Sequence, residues 1–295
     1  MIQTAIIIVN YKNANLTIRF VNEELKKLSS PYTVIVVNNE SCITEDSFLA
    51  EKLNGQVIHD IFQQPSKSKC FIISSKKNLG FAKANNLAFD FAMRYIKPQY
   101  VLFSNNDIQI RDNDTLSLLI QTLESDSKIG IIGPMIKGLK GELQSPEPYR
   151  PFWDRYVWMF ISTPFISKEK KTQRFMLDYP QKAKEGFHYK VMGSFFLMKA
   201  EDYFKCGQMD PNTFLYSEET ILSERIKAIG KSVYYYPKTC VIHAHGATTK
   251  KIGNSKINKY KVRSECYYYR KYMKEPLWKL WIGTIIHEII LSVKK

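Results

Sequence analysis

Residues 100–107 read Tyr-Val-Leu-Phe-Ser-Asn-Asn-Asp, and this stretch decides the fold. Residues 100–104 read as a short buried strand. They run straight into Asn105, Asn106 and Asp107. The same pattern recurs upstream. Residues 4–9 are an apolar β run ending in Asn10-Tyr11-Lys12-Asn13. Residues 33–37, rich in β-branched side chains, end in Asn38-Asn39-Glu40-Ser41. Residues 70–74 lead through Ser75-Lys76-Lys77 into Asn78-Leu79-Gly80. Helical spacing separates these strands. Over 15–28, Leu16, Phe20, Leu25 and Leu28 share a face; over 81–96, Ala84, Ala88, Phe91 and Tyr95 do. Strands alternating with helices predict an α/β protein, with a mostly parallel sheet covered on both faces. Such sheets bind ligands at the carboxyl ends of their strands, so the polar clusters predict one cleft.

Further out, residues 129–136 read as another strand, 191–198 as renewed order, and 218–229 as a helix. Between them, 141–190 is Pro- and aromatic-rich, then basic, and reads as a long excursion or lid. The last 40 or so residues are helical in pattern. Trp278, Trp281, Ile282, Ile285, Ile286, Ile289 and Ile290 form one apolar stripe at i, i+3, i+4, i+7, i+8, i+11 and i+12.

Composition agrees with a packed domain: 44% of the 295 residues are hydrophobic and 24% charged. The five cysteines are scattered without a CxxC pair, which fits a reducing compartment and no disulfide framework. The N-terminal apolar run lacks a basic flank and cleavage site, and reads as a strand rather than a signal peptide. No run of ~18 apolar residues suggests a spanning helix. The formal net charge of +15 attracts polyanions, whether anionic lipid, phosphorylated substrates or nucleic acid, without choosing among them.

Four constellations could carry chemistry. Asn105-Asn106-Asp107 ends a buried strand and could hold a divalent cation that bridges phosphates; turn chemistry alone also explains these residues. In Asn78-Leu79-Gly80-Phe81-Ala82-Lys83 a Gly-containing loop opens a helix, whose free N–H groups bind anions; an ordinary helix start looks the same. This is not a Walker loop: Gly230-Lys231-Ser232 would need Gly where Arg225 stands. Glu218 and Glu219 open a helix, either to complement its dipole or as a general base. Cys240, His243 and His245 suggest zinc only weakly, since a fourth ligand is not apparent.

Taken in order, the pieces IIIVNYKN, VVNNES, NLGFAKANN, LFSNND, the long run from MGSFFLMK to RIKAIG, and VIHAHGATT resemble the family-2 inverting glycosyltransferases of the GT-A fold. The closer likeness is to rhamnosyltransferase-like members that build bacterial surface polysaccharides. It covers about residues 4–249, weakly across 141–190. The resemblance implies a GT-A domain over 1–250, with a nucleotide-sugar half to about 136, an acceptor half from 137, and a C-terminal helical segment from 251. It implies that Val9, Asn10 and Tyr11 line the base and ribose site. Asn38 or Asn39 stands where the family often has Asp, and Asn78, Gly80, Lys83 and Asn106 help hold the nucleotide. Asp107, Asn105 and His243 would face the metal, Mn²⁺ or Mg²⁺, and Gly193 and Ser194 would border the sugar and acceptor. Glu219 aligns with the family's catalytic Asp, with Glu218 beside it, and Ile221 replaces a second Asp. The implied reaction uses a UDP- or dTDP-linked donor and a saccharide acceptor, lipid-linked, with inversion. The stripe and the charge suggest peripheral docking on the anionic inner membrane of a bacterial cytoplasm, while a core or dimer helix would show the same stripe. The rivals are a nucleotidyltransferase, which usually carries a Gly-rich loop after the first strand, a degenerate nucleotide-sugar binder, and, lower, a nucleic-acid binder, for which no module is recognisable.

Overall fold

The structure is a computed structural model that describes residues 3–62, 64–162, 165–244 and 254–293. Its centre is a 10-stranded sheet among the described residues. The strands are β1 (Thr4–Asn10), β2 (Tyr32–Asn39), β3 (Gln56–Ile58), β4 (Cys70–Ser75), β5 (Tyr100–Ser104), β6 (Ile108–Ile110), β7 (Ile129–Lys137), β8 (Gly186–His188), β9 (Phe195–Lys199) and β10 (Ser232–His243). Their order is β3-β4-β2-β1-β5-β9-β7-β10-β6, with β8 paired to β10. The first five in that order are parallel, as is β7 with β10; β9 runs antiparallel between β5 and β7. The α/β layout expected from the alternation is present. The three-residue strands β3, β6 and β8 escaped the reading because so short a run shows no periodicity.

Burial on both faces explains the continuous apolar runs. Ile6, Ile8, Val34, Val36 and Leu102 face one cluster, covered by α1 (Ala14–Arg19), α2 (Ile43–Leu53) and α4 (Thr115–Ser125). Ala5, Ile7, Ile35, Val37 and Phe103 face the other, under α3 (Phe81–Tyr95), α8 (Ala200–Lys205) and α9 (Glu218–Ala228). The helix expected over 15–28 changes winding: after α1 a π turn spans Phe20–Glu24 and a 3₁₀ turn Leu25–Lys27. The wider turn, closed by Leu25 N–H on Phe20 O, lets Phe20, Val21 and Leu25 all bury.

The 141–190 excursion folds back on the body. It holds a π turn (Asp154–Trp158) and the short helices α5 (Met159–Ile161), α6 (Lys168–Arg174) and α7 (Tyr179–Lys182). Phe152, Tyr156 and Val157 form a third core with Ile221 of α9, Tyr268 and Tyr269 of α10 (Asn254–Lys271), and Leu280 of α11 (Leu277–Val293). Arg155 and Tyr156 lock this core by donating to the two oxygens of Glu265. Ile221 is fully buried here, which gives the apolar residue at that position a packing reason. α11 packs through its stripe only at Ile286, which meets the third core, among the described residues. It seats Leu280 and Gly283, and a Cβ at Gly283 would meet the Phe152 ring at 2.3 Å. Trp278, Trp281 and Ile289 are exposed, and the side chain of Ile290 lies outside the described residues. Among the described residues, no helix is long and apolar enough to cross a membrane.

Candidate functional site

Parallel register carries the strand ends to one rim. Asn10 pairs with Asn38, and Ile8 with Ser104, so the three polar clusters meet. Asn10 Nδ2 donates to Asn38 Oδ1 (2.7 Å), Thr17 Oγ1 donates to Asn10 Oδ1 (2.8 Å) and Asn106 Nδ2 donates to Thr17 Oγ1 (2.8 Å). Asn38 Nδ2 reaches Asp46 Oδ1 at 2.8 Å. Asn10 and Asn38 are thus fully buried struts behind the rim. Asn39 stands forward: its Oδ1 accepts from Leu79 N–H (2.8 Å) and its Nδ2 donates to Asn78 Oδ1 (3.0 Å).

Gly80 ties this rim to the opposite wall. Its φ is +77°, and a Cβ would lie 2.4 Å from Phe214 O, so both conformation and space demand glycine. Phe81 N–H donates to the same carbonyl at 2.9 Å. Phe214 leads through Tyr216 and Ser217, both left-handed (φ +73° and +68°), into Glu218 at the start of α9. Backbone strain of this kind persists where the surroundings over-determine it.

One cavity of about 230 Å³ opens between these walls. Val9, Tyr11, Asn39, Asn78, Gly80, Asn105, Asn106, Asp107, Gly193, Ser194, Glu218, Glu219 and His243 all line it. Lys83 is exposed on α3 and does not, nor do Asn10 and Asn38. Phe81, Met192, Phe214, Leu215 and Tyr216 line it as well and were missed, because apolar residues next to a motif look like core. His245 lies outside the described residues.

Four buried side-chain atoms among the described residues lack a hydrogen-bond partner: Thr4 Oγ1, Asp107 Oδ1, Ser194 Oγ and Glu218 Oε1. The residues carrying the last three all line this cavity. Buried polar atoms are rarely left unpaired without a ligand or function to explain them. Asp107 Oδ1 lies 3.3 Å from His243 Nε2. His243 Nδ1 lies 2.8 Å from Gln144 Oε1, so the ring is held between Gln144 and Asp107. Asn105 adds an amide 3.3 Å from Nε2. The Asp107 carboxylate and the His243 ring are ligand types that fit a divalent ion completed by other ligands. Among the described residues, no three His, Cys, Asp or Glu side chains cluster to hold one alone.

On the opposite wall, burial raises the Glu218 carboxyl well above the usual carboxylate range, and the adjacent Glu219 charge adds to it. Glu218 therefore keeps its proton at neutral pH. Glu219 is less buried and accepts from Lys190 Nζ at 3.2 Å. Beyond Glu219 a second cavity of about 280 Å³ opens, walled by Tyr149, Tyr189, Tyr268 and Tyr269 and sharing Met192, Tyr216 and Glu219 with the first.

Residues 5–181 match the sequence profile described as Glycosyl transferase family 2. No curated protein sequence matches the chain. Among solved structures, TarS 1–349 of S. aureus superposes with a TM-score of 0.54 at 11% identity, covering 96% of this chain and 79% of that one. The mannosyltransferase PcManGT of Pyrobaculum calidifontis, in complex with GDP-Man and Mn²⁺, gives 0.57 at 13%, covering 98% and 74%. GalNAc-T7 with UDP, GalNAc and Mn²⁺ gives 0.56 at 12%, covering 92% of this chain and 49% of that one. At these identities the likeness establishes the architecture.

Proposed function

Because the chain belongs to glycosyl transferase family 2 and has its GT-A α/β architecture, we propose that it moves a sugar from a UDP- or dTDP-linked donor to an acceptor saccharide with inversion. The observation that carries this reading is the convergence of three unpartnered buried polar atoms on one cavity at the strand ends. The nucleotide-sugar half, about 1–136, supplies Val9, Tyr11, Asn39, Asn78 and Gly80 for the nucleotide. Asn10 and Asn38 hold that rim in shape from behind, and Lys83 adds positive charge outside it. Gly193 and Ser194, from the acceptor half (about 137–250), border the transferred sugar.

Glu219 takes the proton from an acceptor hydroxyl as its oxygen attacks the anomeric carbon. The bond from that carbon to the diphosphate breaks on the opposite face. The electron pair leaves with the nucleoside diphosphate, and configuration inverts. Glu218, neutral, keeps a second negative charge away from the departing anion. Asp107 and His243, with Asn105, would hold a divalent ion, whose bound charge would stabilise the leaving diphosphate. Two of the superposed enzymes were solved with Mn²⁺, which supports this assignment.

The same reading extends to a rhamnosyltransferase-like role in bacterial surface polysaccharide synthesis, with a lipid-linked acceptor. The exposed Trp278, Trp281, Ile285 and Ile289 of α11 and the net charge of +15 support docking on the cytoplasmic face of the inner membrane through the 251–295 segment.

A thermal-shift panel of UDP-, dTDP- and GDP-sugars, with and without Mn²⁺, tests the core of this. A donor at ~100 Kd stabilises the fold by about 2.7 kcal/mol. One nucleotide should shift the protein in a metal-dependent way, and Asp107→Ala should abolish the shift. Silence across the panel in well-folded protein would sink the reading.

A further inference from the structure

Lys190 belongs to none of the motifs, yet the fold delivers it to the base. It follows β8, and its backbone pairs with that of Glu147: Glu147 N–H donates to Lys190 O at 2.9 Å. Its ammonium then lies 3.1 Å from Glu147 Oε1 and 3.2 Å from Glu219 Oε1, with 13% of the side chain exposed. Glu219 Oε2 faces the other way, toward Gly193, where an added Cβ would sit 3.4 Å from it. Gly193 borders the first cavity, while Glu147 and Lys190 line the second. One carboxylate oxygen is therefore anchored on the second-cavity side, and the other is turned toward the first.

We propose that Lys190 is a positioning residue for the transfer reaction, anchoring Glu219 Oε1 so that Oε2 is aimed at the junction between the two cavities. The proposal rests on Glu219 being the base. A glutamate has three side-chain torsions, and an unanchored carboxylate would sweep through positions of which few can accept the proton. Errors of ~1 Å cost about 100-fold in rate. Lys190 is suited to anchoring because it stays charged. Burial alone would depress its ammonium, but the Glu147 and Glu219 carboxylates outweigh burial and the repulsion of Arg155 and hold it above its ordinary value. The other groups facing Glu219 are Glu218 and the hydroxyl of Tyr216.

The test measures the intact chain in two ways. The Glu219 carboxyl is titrated by ¹³C NMR in protein with labelled glutamate, assigned by its loss in Glu219→Gln. Release of nucleoside diphosphate is followed across the acid limb with the nucleotide sugar that shifts the protein. In Lys190→Met the Glu219 titration and the acid limb should both move up, because the positive charge beside the carboxylate is removed. Turnover should fall about 100-fold while the nucleotide Kd stays within about twofold, and Lys190→Arg should restore most of the rate. Should Lys190→Met fail to fold, Glu147→Gln gives the opposite sign. It removes a competing carboxylate, leaves the ammonium to Glu219 alone, and should move both titrations down. Unmoved titrations with unchanged turnover, while Glu219→Gln is inactive, would overturn the role of Lys190 and leave the base in place. Full activity in Glu219→Gln would overturn both.

Discussion

At the scale of the residue, Glu218 and Glu219 divide one chemistry by depth. Glu218 is buried with an unpartnered oxygen, so its folded pKa stands above its ordinary value of 4.5, at about 8. Between those values the folded chain holds a proton that the unfolded chain has released, so unfolding gains stability relative to folding as pH rises. The contribution is complete below the ordinary carboxylate range and is lost by about pH 8. Glu218→Gln should therefore flatten the fall of Tm across that window and melt higher than the parent at its alkaline end. Parallel Tm profiles for the two proteins would show that Glu218 is ionised in the fold. Adjacent carboxylates at a helix start were legible in the sequence, but their different depths were not. Depth comes from the paired left-handed residues Tyr216 and Ser217, and nothing in the local sequence demands that conformation. Likewise, the resemblance implied that Asn10 and Asn38 serve the nucleotide, while their contacts with Thr17 and Asp46 are set by tertiary packing.

At the scale of the element, long periodic segments were readable and short or irregular ones were not. β5 spans Tyr100–Ser104 and α3 begins at Phe81, where the buried apolar run and the helical spacing put them. The π turn after α1, and the side of α11 that faces the body, depend on partners the sequence does not show. The apolar stripe of α11 announced itself as a contact face, yet the helix seats itself through Leu280 and Gly283 against Phe152. Phe152 is fully buried, so Phe152→Ala should cost about 3–5 kcal/mol in the third core. Gly283→Leu should separate α11 from the ring. Limited proteolysis would read out both, with early cleavage between α10 and α11 in the variants and unchanged cleavage elsewhere. Equal proteolysis of parent and variants would mean that the third core does not hold α11.

At the scale of the whole molecule, the proposed docking on anionic lipid joins the charge of +15 to the exposed indoles. Vesicles of phosphatidylglycerol and phosphatidylcholine should sediment the protein, and pure phosphatidylcholine should do so far less. Each basic side chain near an anionic surface contributes about 1 kcal/mol, and salt screens it. Trp278→Glu with Trp281→Glu should weaken partitioning about tenfold or more while leaving nucleotide binding intact. If the double variant binds vesicles like the parent but loses a dimer on gel filtration, the stripe serves a second copy instead.

β9 sits between β5 and β7, although both of those strands precede it in the chain by dozens of residues. During synthesis the ribosome therefore releases two strands with open inner edges long before the strand that closes them exists. Contacts of such sequence separation raise contact order and slow folding, and unpaired edges invite pairing between nascent chains. The middle of the sheet, which presents Asn105, Asp107 and Ser194 on one rim, is thus completed late, and a chain stalled before residue 199 is an aggregation hazard rather than a half-built enzyme.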